Sequence, residues 1–187
     1  MRVVGFTGMP GSGKSEAMEV AKARGLTVVR MGDMIWEEVE RQGLPRDAKH
    51  VGQVADAMRK AHGMDVWARR TVERVREVAA NAKGSRPILI DGLRNHEEVE
   101  TLRRELGHDF RLVAIHTDPD KRFDRMQRRA RADDSTDLAV LRERDERELS
   151  WGIARTIALA DEMVVNDGTL EEFRERVGRL FDRLDPR

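Results

Sequence analysis

Gly8-Met9-Pro10-Gly11-Ser12-Gly13-Lys14-Ser15 decides how the rest of this chain is read. The stretch matches G-x-x-x-x-G-K-[ST], the pattern of a phosphate-binding loop. An apolar run, Arg2–Thr7, precedes it, and a helical stretch, Ser15–Arg24, follows it. That is the strand–loop–helix context the pattern requires. Glycines let backbone N–H groups turn inward around phosphate oxygens, and the positive end of the following helix adds to the field. Gly8, Met9, Pro10, Gly11, Ser12, Gly13, Lys14 and Ser15 are therefore the expected nucleotide-binding residues. In this chemistry the Lys14 ammonium bridges the β- and γ-phosphates of ATP and the Ser15 hydroxyl ligates Mg²⁺.

Outward from the loop, short apolar runs alternate with charged helical stretches. Strands are predicted at Arg2–Thr7, Leu26–Arg30, Pro87–Ile90, Arg111–His116 and Glu162–Val165. The runs are continuously apolar rather than alternating, which suits a parallel sheet covered on both faces. Helices are predicted at Ser15–Arg24, Glu97–Leu106 and Leu170–Leu184. Strand–helix alternation implies an α/β fold, a five-stranded mostly parallel sheet flanked by helices, with ligands at the carboxyl ends of the strands. Two stretches exceed a simple crossover. A helical insertion at about 33–84 holds three expected helices, and a stretch at about 121–147 is rich in Arg, Asp and Glu. Long insertions at that edge of a sheet commonly cover substrate. The strand Pro87–Ile90 runs into Asp91-Gly92, an arrangement that places a carboxylate beside the loop to hold Mg²⁺ or its water shell.

Composition sets the outer limits. The 187 residues carry 35 Lys+Arg against 35 Asp+Glu. A length of this order suits one domain, so residues 1–187 are expected to form a single unit. Zero net charge argues against general nucleic-acid or membrane-surface binding. The absence of cysteine removes disulfides, thiol nucleophiles and thiolate metal sites. No apolar run approaches the roughly 20 residues needed to span a bilayer. The N-terminus runs straight into the loop motif, so no signal peptide and a cytoplasmic location are expected. His50, His62, His96, His108 and His116 show no metal-ligand spacing.

Further stretches resemble known families. The loop with its short sheet resembles the nucleoside-monophosphate-kinase-like group, which includes adenylate kinase and dephospho-CoA kinase. Gly32-Asp33-Met34-Ile35 resembles the Gly-Asp-Met-Leu stretch that opens the monophosphate-binding insertion of adenylate kinases. Asp91-Gly92-Leu93-Arg94 resembles their Asp-Gly-Phe-Pro-Arg segment, one residue shorter, and Arg131-Ala132-Asp133-Asp134 resembles their Arg-x-Asp-Asp. Across its whole length the chain also resembles an uncharacterised archaeal family of P-loop proteins, described as kinase-like or as related to dephospho-CoA kinase. Gly5-Phe6-Thr7-Gly8-Met9-Pro10 and Val28-Val29-Arg30-Met31-Gly32-Asp33 carry that likeness most specifically. Two departures stand out. Trp36 occupies the position where adenylate kinases have an acceptor-gripping Arg, and only Ala130 separates Arg129 from Arg131.

The resemblance implies an ATP- and Mg²⁺-dependent transfer of the γ-phosphoryl group to a small acceptor, by a monomer or homodimer. The acceptor is a nucleoside monophosphate or, in the manner of dephospho-CoA kinase, an alcohol. A nucleotide switch read by a partner protein is the rival of another class. Guanidinium groups bind phosphate oxygens bidentately and stay charged. On that ground Arg125, Arg129, Arg131 and Arg142 are candidate lid arginines, with Lys14, Arg131 and Arg142 acting on the transferring group. Arg128, Arg144 and Arg147 read as surface ion-pair formers. Arg59 and Arg94 are expected at the acceptor. Asp33 has two readings: cap of a helix Met34–Arg41, or the carboxylate that takes the proton of an alcohol acceptor. Trp36 packs on a base or sits in the core of the insertion, and Trp67 and Trp151 read as core. Thr169, after the last strand, reads as a helix N-cap.

Overall fold

The computed structural model describes residues 2–81, 86–107, 109–129 and 137–185, without the side chains of Ala48 and Arg129. Five parallel strands form one sheet in the order β2-β3-β1-β4-β5: β1 (Val3–Thr7), β2 (Thr27–Arg30), β3 (Ile88–Leu93), β4 (Phe110–His116) and β5 (Glu162–Val165). The register puts Val3 beside Ile88 and Phe110, and Gly5 beside Ile90 and Leu112. Successive strand residues point to opposite faces, so the continuous apolar run of β1 feeds two cores. Val3 joins Val29, Ile88, Ile90 and Leu112 under one helical layer, while Val4 and Phe6 join Leu89, Val113 and Ile115 under the other.

The first layer contains α2 (Met31–Arg41), α3 (Ala48–His62), α4 (Val66–Asn81) and α5 (His96–Leu106). Trp67 of α4 is fully buried there, as its apolar pattern predicts. The second layer contains α1 (Lys14–Ala23) and α9 (Leu170–Leu184), whose Phe181 meets Phe6 edge-on with centroids 6.1 Å apart. α6 (Pro119–Arg129), α7 (Leu138–Ser150) and α8 (Ile153–Ala158) fill the connection from β4 to β5. The insertion holds the three helices expected of it.

Helix ends follow their cap residues. Asn95 and Glu98 form a reciprocal capping box on α5, and Thr169 and Glu172 form another on α9. Two expected boundaries are wrong. The strand expected to stop at Ile90 continues to Leu93, because Asp91 and Leu93 pair with Phe6 and Thr7 of β1. The helix after β2 begins at Met31, with Arg30 as its N-cap, so Asp33 lies inside the first turn and does not cap a helix Met34–Arg41. The strand feeds the helix without an intervening loop, a continuity that a cap-based reading of Asp33 misses.

The connection from β1 runs to β2 at one edge, and that from β3 runs across β1 to β4 on the other side. Connections leaving neighbouring strands in opposite directions open a crevice at their carboxyl ends. The phosphate loop and Asp91 both lie there.

Candidate active site

The loop between β1 and α1 is shaped by glycine at two positions. Gly8 has φ +147°, and a Cβ there would run into the Ile115 carbonyl and stand 2.7 Å from Ser12 Oγ. Gly13, the N-cap of α1, has φ +111°, and a Cβ there would collide with the Asn166 amide. Side chains rarely adopt such φ values, so both positions need glycine for conformation and for space.

Neighbouring elements fix the loop's carbonyls from outside. Thr117 Oγ1 and Asn166 Nδ2 donate to the Ser12 carbonyl at 3.0 and 2.8 Å. Arg122 Nη1 donates to the Pro10 carbonyl at 2.8 Å, while its guanidinium grips Asp145 of α7 through both carboxylate oxygens, at 3.2 and 2.6 Å. Arg125 donates to the Asn166 carbonyl at 3.0 Å. Arg122, Thr117 and Asn166 are all buried. With its carbonyls held from outside, the loop keeps one shape for an anion to meet.

Lys14 Nζ donates to the carbonyls of Gly8 and Met9, the second at 3.1 Å. Burial pulls its pKa from the ordinary lysine range down to about 7, with Arg94 and Arg144 pulling the same way and Asp91 and Glu148 opposing. A polyphosphate beside such an amine favours its charged form. Ser12 Oγ is buried and has no hydrogen-bond partner among the described residues.

In front of the loop lies a cavity of about 670 Å³. Loop residues 10–15 form its floor. Asp91 and Arg94, from β3 and the turn after it, form one wall with Met31 and Gly32. Gly52, Ala55 and Arg59 of α3 form the cover, and Arg144, Arg147 and Glu148 of α7 close the far side with Trp151. A volume of this size lies in the range of small-molecule sites.

The structure gathers many of the residues singled out from the sequence. Pro10, Gly11, Ser12, Gly13, Lys14, Ser15, Arg59, Asp91, Arg94 and Arg125 all line the cavity. Gly8 and Met9 supply the carbonyls under Lys14. Asp33 is half-buried in the first turn of α2 and is not among the lining residues, whereas Gly32 beside it is. Arg142 is exposed on α7 and also lies off the cavity lining. Arg131 and the side chain of Arg129 lie outside the described residues.

Three residues face the cavity against expectation. Arg144 and Arg147, read as surface ion-pair formers, line it, and so does Trp151, read as core. The helical phase of α7 separates these arginines from Arg142: steps of two and five residues turn the side chain well round the axis. That phase was readable only with the position of the helix known. Glu148, one residue after Arg147, is buried, with Arg94 Nε 2.7 Å from its Oε2. Trp36 also lines the cavity, with Arg46 stacked over its ring at 5.0 Å.

Asp91 Oδ1 is buried and unpartnered among the described residues, inside β3 near its carboxyl end and paired beside Phe6 of β1. With Ser15 it offers oxygen ligands only, the type Mg²⁺ takes. Among the described residues no group of three His, Cys, Asp or Glu converges as a self-sufficient metal site. Such a pair suits an ion that relies on substrate phosphates for its remaining ligands.

A family model described as an AAA domain matches residues 7–142. A UPF0200 protein of Methanosarcina barkeri is 44% identical over 177 residues, spanning 95% of this chain and 92% of its own. The chain belongs to the UPF0200 family. Among solved structures, this UPF0200 chain superposes on a dephospho-CoA kinase from Campylobacter jejuni with a TM-score of 0.63. The two share 14% identity, over 100% of this chain and 98% of the other. A shikimate kinase from Bacteroides thetaiotaomicron gives a TM-score of 0.60 at 15% identity, over 98% of each chain. At these identities the likeness is one of fold, and that fold is P-loop kinase-like. Among the described residues no helix is long and apolar enough to cross a membrane.

Proposed function

We propose that this chain is an ATP- and Mg²⁺-dependent phosphotransferase that moves the γ-phosphoryl group of ATP to a small acceptor held in the cavity, a nucleoside monophosphate being the first choice. The observation that carries the reading is the shared cavity: the phosphate loop lines its floor, and Arg30, Arg59, Arg94, Arg125, Arg144 and Arg147, from five separate segments, line its other sides. A nucleotide switch needs the loop but not an enclosed chamber beyond it.

In this reading the backbone N–H groups of the loop and Lys14 hold the ATP phosphates. Ser15 and Asp91 hold the Mg²⁺, which supplies charge neutralisation across the phosphates. The acceptor oxygen attacks the γ-phosphorus in line as the bond to the ADP oxygen breaks, and the ADP oxygen leaves with the electron pair. Arg94, Arg125 and Arg144 neutralise the negative charge on the equatorial oxygens of the transferring group and on the leaving oxygen, where charge builds as the bond breaks. Arg144 and Arg147 take the lid role expected of Arg142 from the resemblance, and Arg131 enters the proposal on its sequence context alone.

An alcohol acceptor is the second reading, favoured by the Glu148 carboxylate at the cavity wall, whose Oε2 lacks hydrogen-bond geometry to any described donor. A carboxylate there suits a hydroxyl and repels a phosphate. Asp33, half-buried in α2 away from the lining, is the less favourably placed of the two carboxylates. ATP consumption measured against a panel of nucleoside monophosphates, dephospho-CoA and small alcohols separates these outcomes. Slow hydrolysis with every acceptor untouched, together with partner capture only in ATP, returns the switch.

A further inference from the structure

Away from the cavity, the sheet is left bare on one face of its edge strand β5. Residues of a strand point alternately to opposite faces. Val164 is buried on the side covered by α9, while Met163 and Val165 point the other way and are 52% and 38% exposed. Their partners across the strand pair are Ala114 and His116. On that face α5 and α8 pack chiefly on β4, and Leu159, the C-cap of α8, is itself 49% exposed. Three of the seven large apolar residues exposed among the described residues thus fall within positions 159–165. Apolar residues scattered singly over a surface need no explanation, but a group of them marks a contact face.

Charged groups rim this face. Arg2, Asp109, Arg111, Glu162 and Arg183 line a small groove of about 350 Å³ at the amino ends of β1, β4 and β5, and Glu162 is the residue before Met163. An apolar centre with a polar rim is the make-up of a protein interface. The edge of β5 is less suited to a further strand. It is four residues long, and Arg176 donates to the Val165 carbonyl at 2.9 Å. Short, charge-protected edges discourage strand addition, including addition of a second copy. A partner therefore meets the face of β5 and not its edge.

A longer relative says what that partner is. A UPF0200/UPF0201 protein of Archaeoglobus fulgidus is 40% identical over 184 residues, which span 98% of this chain but 56% of the relative. The rest of the relative is long enough for a domain, and its name joins a second family to the first. The described ends of this chain show where such a domain leaves. Arg2 Nη1 donates to the Leu184 carbonyl at 2.5 Å, and Arg183 Nη2 lies 2.7 Å from Glu162 Oε2. The start of β1 and the end of α9 therefore meet at the start of β5. Whichever end carries the second domain, that domain departs beside the bare face. Covalent joining raises the effective concentration of one unit at the other, and that gain is realised only where the two units touch.

We infer that the bare face of β5, centred on Met163 with Leu159 and Val165, is the docking surface for a UPF0201 domain. The partner sets apolar side chains against Met163 and Val165. It sets a carboxylate against Arg111, which pairs with no carboxylate among the described residues. This goes beyond the phosphotransferase reading and stands or falls without it.

The test titrates the full chain with a UPF0201 protein purified as a separate chain, read by calorimetry, and follows the chain alone by sedimentation. Saturable binding is expected. Met163→Glu places a charge at the centre of the face without entering the core, and should weaken binding at least tenfold. Leu138→Glu makes the same change at an apolar residue of α7 that is 44% exposed, and should bind as wild type does. No saturable binding, an affinity unmoved by Met163→Glu, or an equal loss in both variants overturns the docking surface. So does a wild-type chain that sediments as a dimer and becomes a monomer with Met163→Glu, because the face then belongs to a second copy.

Discussion

The two halves of the cavity are built from different materials. On the side proposed for the donor, the material is backbone: the loop offers N–H groups, its shape depends on Gly8 and Gly13, and its carbonyls are braced by Thr117, Asn166 and Arg122. On the side proposed for the acceptor, it is side chains. Arg59, Arg94, Arg147 and Trp151 come from α3, the end of β3, α7 and the turn after α7, and reach one another only in the folded chain. A backbone site is written in consecutive residues and admits few substitutions. A side-chain site is dispersed, so the same frame can serve different acceptors.

The sharpest way to break this contrast is to loosen the donor half from outside. Arg122→Met removes the bidentate partner of Asp145 and the donor to Pro10. Breaking a buried ion pair from one side costs about 3–5 kcal/mol. Urea unfolding should show a loss of that order together with weaker ATP binding. If stability falls and ATP affinity stays as in wild type, the brace does not shape the loop.

Lys14→Ala attacks the same half from within. Deleting one preorganised donor commonly lowers the rate by ~10²–10³. Steady-state ATP consumption should fall by that factor with the fold intact by circular dichroism. Turnover at the wild-type rate would dismiss Lys14 as a phosphate ligand.

The depressed pKa of Lys14, about 7, predicts a pH effect with a definite sign. Protonated Lys14 binds polyphosphate, so ATP affinity should decline as pH rises above 7, by at most roughly tenfold per unit, with proton uptake on binding. Calorimetry in buffers of different ionisation enthalpy reads that uptake. Stability moves the other way. The unfolded chain keeps the lysine proton up to about pH 10, so between 7 and 10 it binds more protons than the folded chain. This group's contribution therefore raises stability with pH. A pH-independent ATP affinity from 6 to 9 would contradict the burial of a neutralisable amine at the phosphates.

Away from both halves the effects shrink. Thr169→Ala removes the N-cap of α9, where Thr169 Oγ1 accepts from Glu172 N and the Glu172 side chain accepts in return. Thermal unfolding should register about 1 kcal/mol. Smallest of all, Arg142→Ala on the exposed face of α7 should change stability by no more than about 0.5 kcal/mol. It should leave turnover unchanged, while Arg147→Ala on the lining face lowers it. The reverse ranking would restore Arg142 as the lid arginine.

Much of the fold was legible because its signals are local. The last strand, Glu162–Val165, and the last helix, Leu170–Leu184, stand where the sequence puts them, since an apolar run followed by a Thr-x-x-Glu cap is a nearest-neighbour pattern. Asp33 shows the limit of such signals. Its cap-like character says nothing about β2 passing directly into α2, which places it inside the helix.

By itself, then, the sequence determined the phosphate-loop motif, the parallel α/β frame and the carboxylate Asp91 late in β3, because each is specified by residues adjacent in the chain. Only the tertiary structure decided which arginines face the cavity. Arg142, Arg144 and Arg147 are alike in composition and local context, and a chain in which six of the 35 basic residues are lysine offers no contrast among its arginines. Which of them line the cavity depends on the rotation of α7 about its axis, fixed by Asp145 on Arg122 and Glu148 on Arg94, two ion pairs that join residues 23 and 54 positions apart.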